Sequence, residues 1–124
     1  MDNGSGKLGE GYTADFLRRK GCTILERNYH SRYGEIDIIA QRGQYILFVE
    51  VKTRREGSMV DPLEAVTKEK RRRIIQTSLC YLEAHPEFAL LSCRFDVAGL
   101  TTSRDGSRIK RLRYVINAFE GGSC

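Results

Sequence analysis

The sequence predicts one compact α/β domain with the element order α-β-β-β-α-β-β. Three observations carry that prediction. The chain has 124 residues, the size of a single domain, with 40% hydrophobic and 30% charged residues. Two runs rich in Ile, Val, Leu and Phe, Glu35 to Gln41 and Tyr45 to Lys52, flank the short connection Arg42-Gly43, as in a β-hairpin. Apolar residues at helical spacing stand before and after that hairpin.

Taken in order, Leu8, Tyr12 and Phe16 recur every fourth residue and predict a helix over about Lys7 to Lys20. Arg18, Arg19 and Lys20 suit its negative end, and Gly21 can supply a left-handed cap. Thr23 to Asn28 reads as a short strand and Tyr29 to Gly34 as a loop. After the hairpin, Thr53 to Asp61 is polar and aperiodic, and Asp61-Pro62 is a helix start signal. Leu63, Val66, Ile74, Tyr81 and Leu82 then predict the longest helix, ending near Ala84 with His85-Pro86 as the stop. Leu91 to Leu100 and Ile109 to Phe119 read as strands, separated by a turn region with Asp105-Gly106. The ends, 1–5 and 120–124, are expected to be flexible around a core of about 6–119.

The longest apolar run, Tyr45 to Val49, is five residues and cannot cross a bilayer. Met1 to Gly11 has no apolar h-region, so a cytoplasmic location is expected. Cys22, Cys80, Cys93 and Cys124, with His30 and His85, show no ligand spacing, and the cysteines read as reduced thiols. Twenty-one Lys and Arg against sixteen Asp and Glu give +5 and favour a polyanionic partner such as nucleic acid.

Charged residues are depleted in strands, yet Asp37 interrupts Ile36, Ile38 and Ile39, and Glu50 interrupts Val49 and Val51. Alternation puts Glu35 and Asp37 on one face, and Phe48, Glu50 and Lys52 on one face of the next strand. With Arg42-Gly43 as a two-residue turn, Asp37 pairs with Phe48 and Glu35 with Glu50. Asp37 and Glu50 are then diagonal neighbours roughly 7–8 Å apart, a gap that a divalent cation can bridge. The alternative is a structural salt bridge from Lys52 to one of the acids.

Gly34-Glu35-Ile36-Asp37, the thirteen residues from Asp37 to Glu50, and Glu50-Val51-Lys52 resemble the PD-(D/E)XK nuclease superfamily. More closely, Gly9-Glu10, Arg27-Asn28-Tyr29, Phe48 to Arg54, Ala65-Val66-Thr67 with Lys70, Arg94-Phe95-Asp96 and Asn117-Ala118-Phe119 resemble the bacterial YraN-type family, itself related to archaeal Holliday-junction resolvases. The resemblance implies a restriction endonuclease-like three-layer α/β/α domain with a mixed central sheet. It implies Asp37, Glu50 and Glu10 as metal-binding acids for Mg²⁺ or Mn²⁺, with Lys52 completing the catalytic set. Glu35 is an auxiliary candidate. Glu10 projects with Ala14 and Leu17, toward the sheet edge, although an exposed helix Glu is the alternative. Asp96 is either an inward polar support or a strand-edge residue.

Five of the six residues from Lys68 to Arg73 are basic. Lys68, Arg71, Arg72 and Arg73, together with Arg54 and Arg55, are candidates for phosphate contacts, and Arg108, Lys110, Arg111 and Arg113 form a later cluster. Lys70 projects inside the apolar arc and is expected to lay its stem along the sheet. The expected function is a divalent-metal-dependent endonuclease acting on DNA, including branched DNA, with a homodimer where two strands are cut. The alternative is a noncatalytic nucleic-acid-binding module or an adaptor in a DNA-processing assembly.

Overall fold

The computed structural model describes residues 3–61 and 64–121. Helix α1 (Asn3–Arg19) is followed by strands β1 (Thr23–Ser31), β2 (Gly34–Arg42) and β3 (Tyr45–Arg55). Helix α2 (Lys68–Ala84) and a 3-10 turn, Pro86–Phe88, lead to β4 (Ser92–Thr102) and β5 (Ile109–Phe119). The strands form one sheet in the order β1-β2-β3-β4-β5. All neighbours are antiparallel except β3 and β4, which pair in parallel from Tyr45↔Ser92 to Arg55↔Thr102. A parallel pair needs a crossover, and α2 supplies it.

The helices cover opposite faces. Ala14 and Leu17 of α1 pack with Ile38, Ala40, Leu47, Val49, Ala98 and Leu100. Ile74 and Tyr81 of α2 pack with Ile39, Ile46, Phe48, Phe95 and Val97. Strands covered on both sides carry apolar residues on both, which is why β2 and β3 read as nearly continuous hydrophobic runs.

Several boundaries differ from the sequence expectation. Helix α1 starts at Asn3, and it buries Gly9, Thr13, Ala14 and Leu17 while Leu8 and Tyr12 stay exposed. Close approach decides that choice: a Cβ on Gly9 would lie 2.5 Å from Thr53 Oγ1. Thr13 folds its hydroxyl back onto the Gly9 carbonyl at 2.8 Å. Strand β1 continues through Tyr29 to Ser31, where the sequence predicts a loop, because these residues pair with Ile36, Glu35 and Gly34. In the β2–β3 hairpin Arg42 pairs with Tyr45, so the turn is Gly43-Gln44. Gly43 has φ 57° and takes the first central position that a type II′ turn reserves for glycine.

Helix α2 begins at Lys68, where Thr67 Oγ1 accepts the Lys70 backbone N–H at 3.2 Å as an N-cap. Asp61 instead closes a separate turn through its carbonyl to Glu64. Pro62 and Leu63 lie outside the described residues, as do 1, 2 and 122–124 of the ends expected to be flexible. Both helices have 17 residues, so α2 is not the longer. Cys22 and Cys80 are free thiols, but Cys93 is disulfide-bonded, which corrects the expectation of four reduced cysteines. No helix among the described residues is long and apolar enough to cross a membrane.

Candidate active site

The β2–β3 ladder ends at Ile38↔Val49. Beyond it, β2 stays paired with β1 and β3 with β4, and the continued register sets Asp37 opposite Glu50. This is closer than the diagonal relation expected from an Arg42-Gly43 turn. The Val51 N–H, on the side facing β2, donates to Asp37 Oδ2 at 2.7 Å. Both acids are buried, Asp37 at 8% and Glu50 at 5% exposure, and they hydrogen-bond each other. Burial, followed by the hydrogen bond and charge of Glu50, raises the Asp37 pKa to about 8, against the Val51 N–H and the Lys70 charge. Burial and the facing acid thus favour the protonated form of Asp37.

Two lysines close the cluster. Lys70, in the first turn of α2, places Nζ 3.3 Å from Glu50 Oε2. That oxygen is buried and has no hydrogen-bond partner, so Lys70 neutralises it as a nearby charge and not as an aimed donor. Lys52 lies one pleat beyond Glu50, half-buried, with its amine beside that of Lys70. Burial and then the Lys70 contact lower the Lys52 pKa, although the Glu50 and Asp37 charges resist. For Lys70 burial works against the charge, but the neighbouring Lys52 amine, an acceptor only when neutral, and the Glu50 carboxylate outweigh it and raise the pKa. Lys70 thus keeps its proton and Lys52 is the readier to lose one.

Glu10 stands beside the pair. Its side chain is 17% exposed, 3.9 Å from Arg27, and hydrogen-bonds the Asn28 side chain. Burial and then the Asp37 charge raise its pKa. Among the described residues no group of three acids, histidines or cysteines is placed to hold one ion, so Asp37 and Glu50 are the two assembled oxygen donors. Glu35 is exposed on the hairpin surface, 3.4 Å from His30 Nδ1, and outside the cluster.

The basic candidates divide. Lys52, Arg54 and Arg55 line a cleft of about 410 Å³ with Gly6, Thr53 and Thr102. On its far side they line a second cleft of about 340 Å³ with Ser58 and Val60. Arg54 also supports the following loop through the Ser58 and Val60 carbonyls. Arg55 bonds the Arg104 carbonyl at 3.4 Å. Arg71 turns inward, to the Val66 carbonyl at 3.1 Å and over the Phe119 ring. Lys68, Arg72 and Arg73 face outward, the two arginines paired with Glu69 at 3.8 and 2.9 Å.

The sequence does not single out Asn28 as a site residue. It occupies the β1 position across from Asp37, with φ 54°, a conformation that asparagine tolerates better than most residues. Its signal is the Arg27-Asn28-Tyr29 run. Asp96, by contrast, is a fully buried support on the opposite face of the sheet, held by Arg94, Tyr114 and Asn117.

A mixed five-stranded sheet flanked by two helices, with two buried acids and two lysines where its central hairpin opens, defines an α/β protein with a candidate acid–lysine centre. The chain belongs to the UPF0102 family, the YraN-type group that its motifs resemble. The model of "Uncharacterised protein family UPF0102" matches residues 9–100. A UPF0102 protein of Dictyoglomus thermophilum is 45% identical over 115 residues, covering 92% of this chain and 95% of the relative. UPF0102 proteins of Syntrophomonas wolfei, 40% identical over 96% of this chain and 100% of the relative, and of Chlorobium phaeobacteroides, 44% over 92% of each, are similarly related.

Proposed function

We propose that this chain is a divalent-metal-dependent endonuclease of the PD-(D/E)XK kind that hydrolyses phosphodiester bonds in DNA. One observation carries the proposal: two buried carboxylates face each other where the hairpin opens, and Glu50 Oε2 has no hydrogen-bond partner. Such an arrangement costs stability as it stands, and Mg²⁺ or Mn²⁺, which take oxygen ligands, fit the charge and donor chemistry. Asp37 and Glu50 would hold the ion, with Glu10 adjacent. When bound, it polarises the scissile phosphate and lowers the pKa of the attacking water.

The remaining steps belong to the protein. Asp37 and Glu50 would both have to be ionised to hold the cation, so its binding would be coupled to proton release. Lys52, the lysine readier to be neutral, accepts a proton from the attacking water or orients it at the mouth of the basic cleft. Lys70 stays charged and faces the anionic centre. Arg54, Arg55, Lys68, Arg72 and Arg73 contribute phosphate contacts that carry no sequence information.

The test is incubation of the purified chain with labelled linear, flapped and four-way DNA in Mg²⁺, Mn²⁺ or EDTA. Cleavage in the metals and none in EDTA is expected. Lys52→Ala should leave DNA affinity nearly unchanged and slow cleavage by about a hundredfold or more. Wild-type protein that binds DNA and never cuts it would instead make the chain a binding module.

A further inference from the structure

Loop 56–61, which joins β3 to the segment before α2, presents an apolar apex. Met59 is 95% exposed and Val60 54%. Leaving such side chains in water forgoes the stabilisation that apolar groups gain on burial. The apex is nevertheless held by polar contacts. The Glu56 N–H donates to the Thr102 carbonyl at 2.9 Å, the Ser58 N–H to the Arg55 carbonyl at 3.1 Å, and the Val60 N–H to Ser58 Oγ at 3.3 Å. The Arg54 guanidinium donates to the Val60 and Ser58 carbonyls.

Cationic clefts flank this apex on two sides. Val60 lines the cleft that Lys52 opens into. Met59 lines a separate cleft of about 500 Å³ with Arg54, Arg111 and Arg113, where Asp61 lies 3.4 Å from Arg113. Leu90 offers a comparison. It is 96% exposed but lies at the other end of the sheet, beside the Gln44–Ser92 contact, away from the acid–lysine cluster.

An apolar tip between two rows of cations complements a base stack between two phosphate backbones. We propose that loop 56–61 is a wedge that inserts Met59 between base pairs next to the scissile phosphate, with Val60 beneath it. The substrate class is then DNA with an unstacked or easily unstacked step, such as a bulge, flap or junction. This inference rests on the DNA reading above and adds to it the element that selects the substrate.

The test uses the full chain with EDTA present, so that binding is separated from cleavage. Duplexes carrying 2-aminopurine opposite or beside a two-nucleotide bulge are compared with a continuous duplex, for wild type, Met59→Ala and Leu90→Ala. Wild type should raise 2-aminopurine fluorescence and prefer the bulged duplex by about tenfold, the equivalent of partial relief of an unstacking cost. Met59→Ala should lose the fluorescence rise and most of the preference while keeping affinity for the continuous duplex, and Leu90→Ala should match wild type. Unchanged distortion in Met59→Ala overturns the wedge and leaves the apex to a protein partner, with the nuclease proposal intact. Met59-dependent distortion without metal-dependent cleavage keeps the wedge and removes the nuclease. No binding to any DNA removes both.

Discussion

Asp96 and the Asp37–Glu50 pair are all buried carboxylates, on opposite faces of the same sheet, and the protein treats them in opposite ways. Asp96 accepts the Arg94 guanidinium fork at 2.9–3.2 Å, the Tyr114 hydroxyl at 2.7 Å and the Asn117 N–H at 2.9 Å. The Asp37–Glu50 pair has one backbone donor, the Lys70 ammonium at 3.3 Å and an oxygen with no hydrogen bond. A carboxylate that only supports the fold is given its partners by the fold. One left short of hydrogen bonds, with a second acid placed against it, costs the fold stability and is the kind of group that the proposed cation site would use.

The largest effect should come from breaking the satisfied site. Asp96→Ala strands a partly buried guanidinium, a hydroxyl and a backbone N–H, and should cost about 3–5 kcal/mol in urea unfolding. Asp37→Asn should be neutral or stabilising by about 1 kcal/mol, since an amide stays uncharged beside Glu50 without a bound proton. The reverse order would erase the distinction between the two sites.

A pH series sharpens the contrast. Between the ordinary Asp value of 3.8 and about 8, the folded protein keeps a proton on Asp37 that the unfolded chain has released. Stability from this group is therefore full below that window and is lost as pH rises through it. The difference in unfolding free energy between wild type and Asp37→Asn should grow in favour of the variant from pH 4 to 8. A difference independent of pH would show that no proton is held there.

Cation addition should act next in size. Mg²⁺ or Mn²⁺ should raise the melting temperature of wild type, by the equivalent of about 2.7 kcal/mol at a hundred times Kd. The rise should be greater at pH 8.5 than at pH 6, because binding displaces the Asp37 proton. It should vanish in Asp37→Asn. Millimolar cation without effect on the intact protein would argue against an ion at the pair.

The smallest effects concern the asparagines beside each site, Asn28 and Asn117, both with φ 54°. Replacement by glycine should change stability by only a few tenths of a kcal/mol, and by alanine should cost about 1–2 kcal/mol. Equal losses for glycine and alanine at position 28 would instead assign the cost to the lost Asn28–Glu10 hydrogen bond.

Much of the fold and of the acid–lysine cluster is legible in the amino-acid sequence. Acids inside the Ile- and Val-rich runs mark Asp37 and Glu50, alternation puts Lys52 with Glu50, and the helical arc aims Lys70 at the sheet. The expected hairpin register is off by two, because a turn is read from Gly43 alone and nothing in the sequence says which side of glycine its partner lies. The expected face of helix α1 is the wrong one, since periodicity favours the bulky Leu8 and Tyr12 while close packing on Thr53 selects Gly9 and Thr13. The inward use of Arg71 depends on Phe119, a partner that local spacing does not reveal.

The two asparagines lie in β1 and β5, the strands that end the sheet on either side. An outermost strand offers unpaired backbone groups to any passing chain, and an interruption in its regular pleat is one way to refuse them. Exposed Glu26 and Arg27 on one border, and Lys110, Arg111 and Arg113 on the other, add a charged fringe. Straightening both borders, with threonine at positions 28 and 117, should make the protein prone to aggregate on storage, readable as rising light scattering. The kink that accompanies each buried acid would thus also keep neighbouring molecules from zipping together.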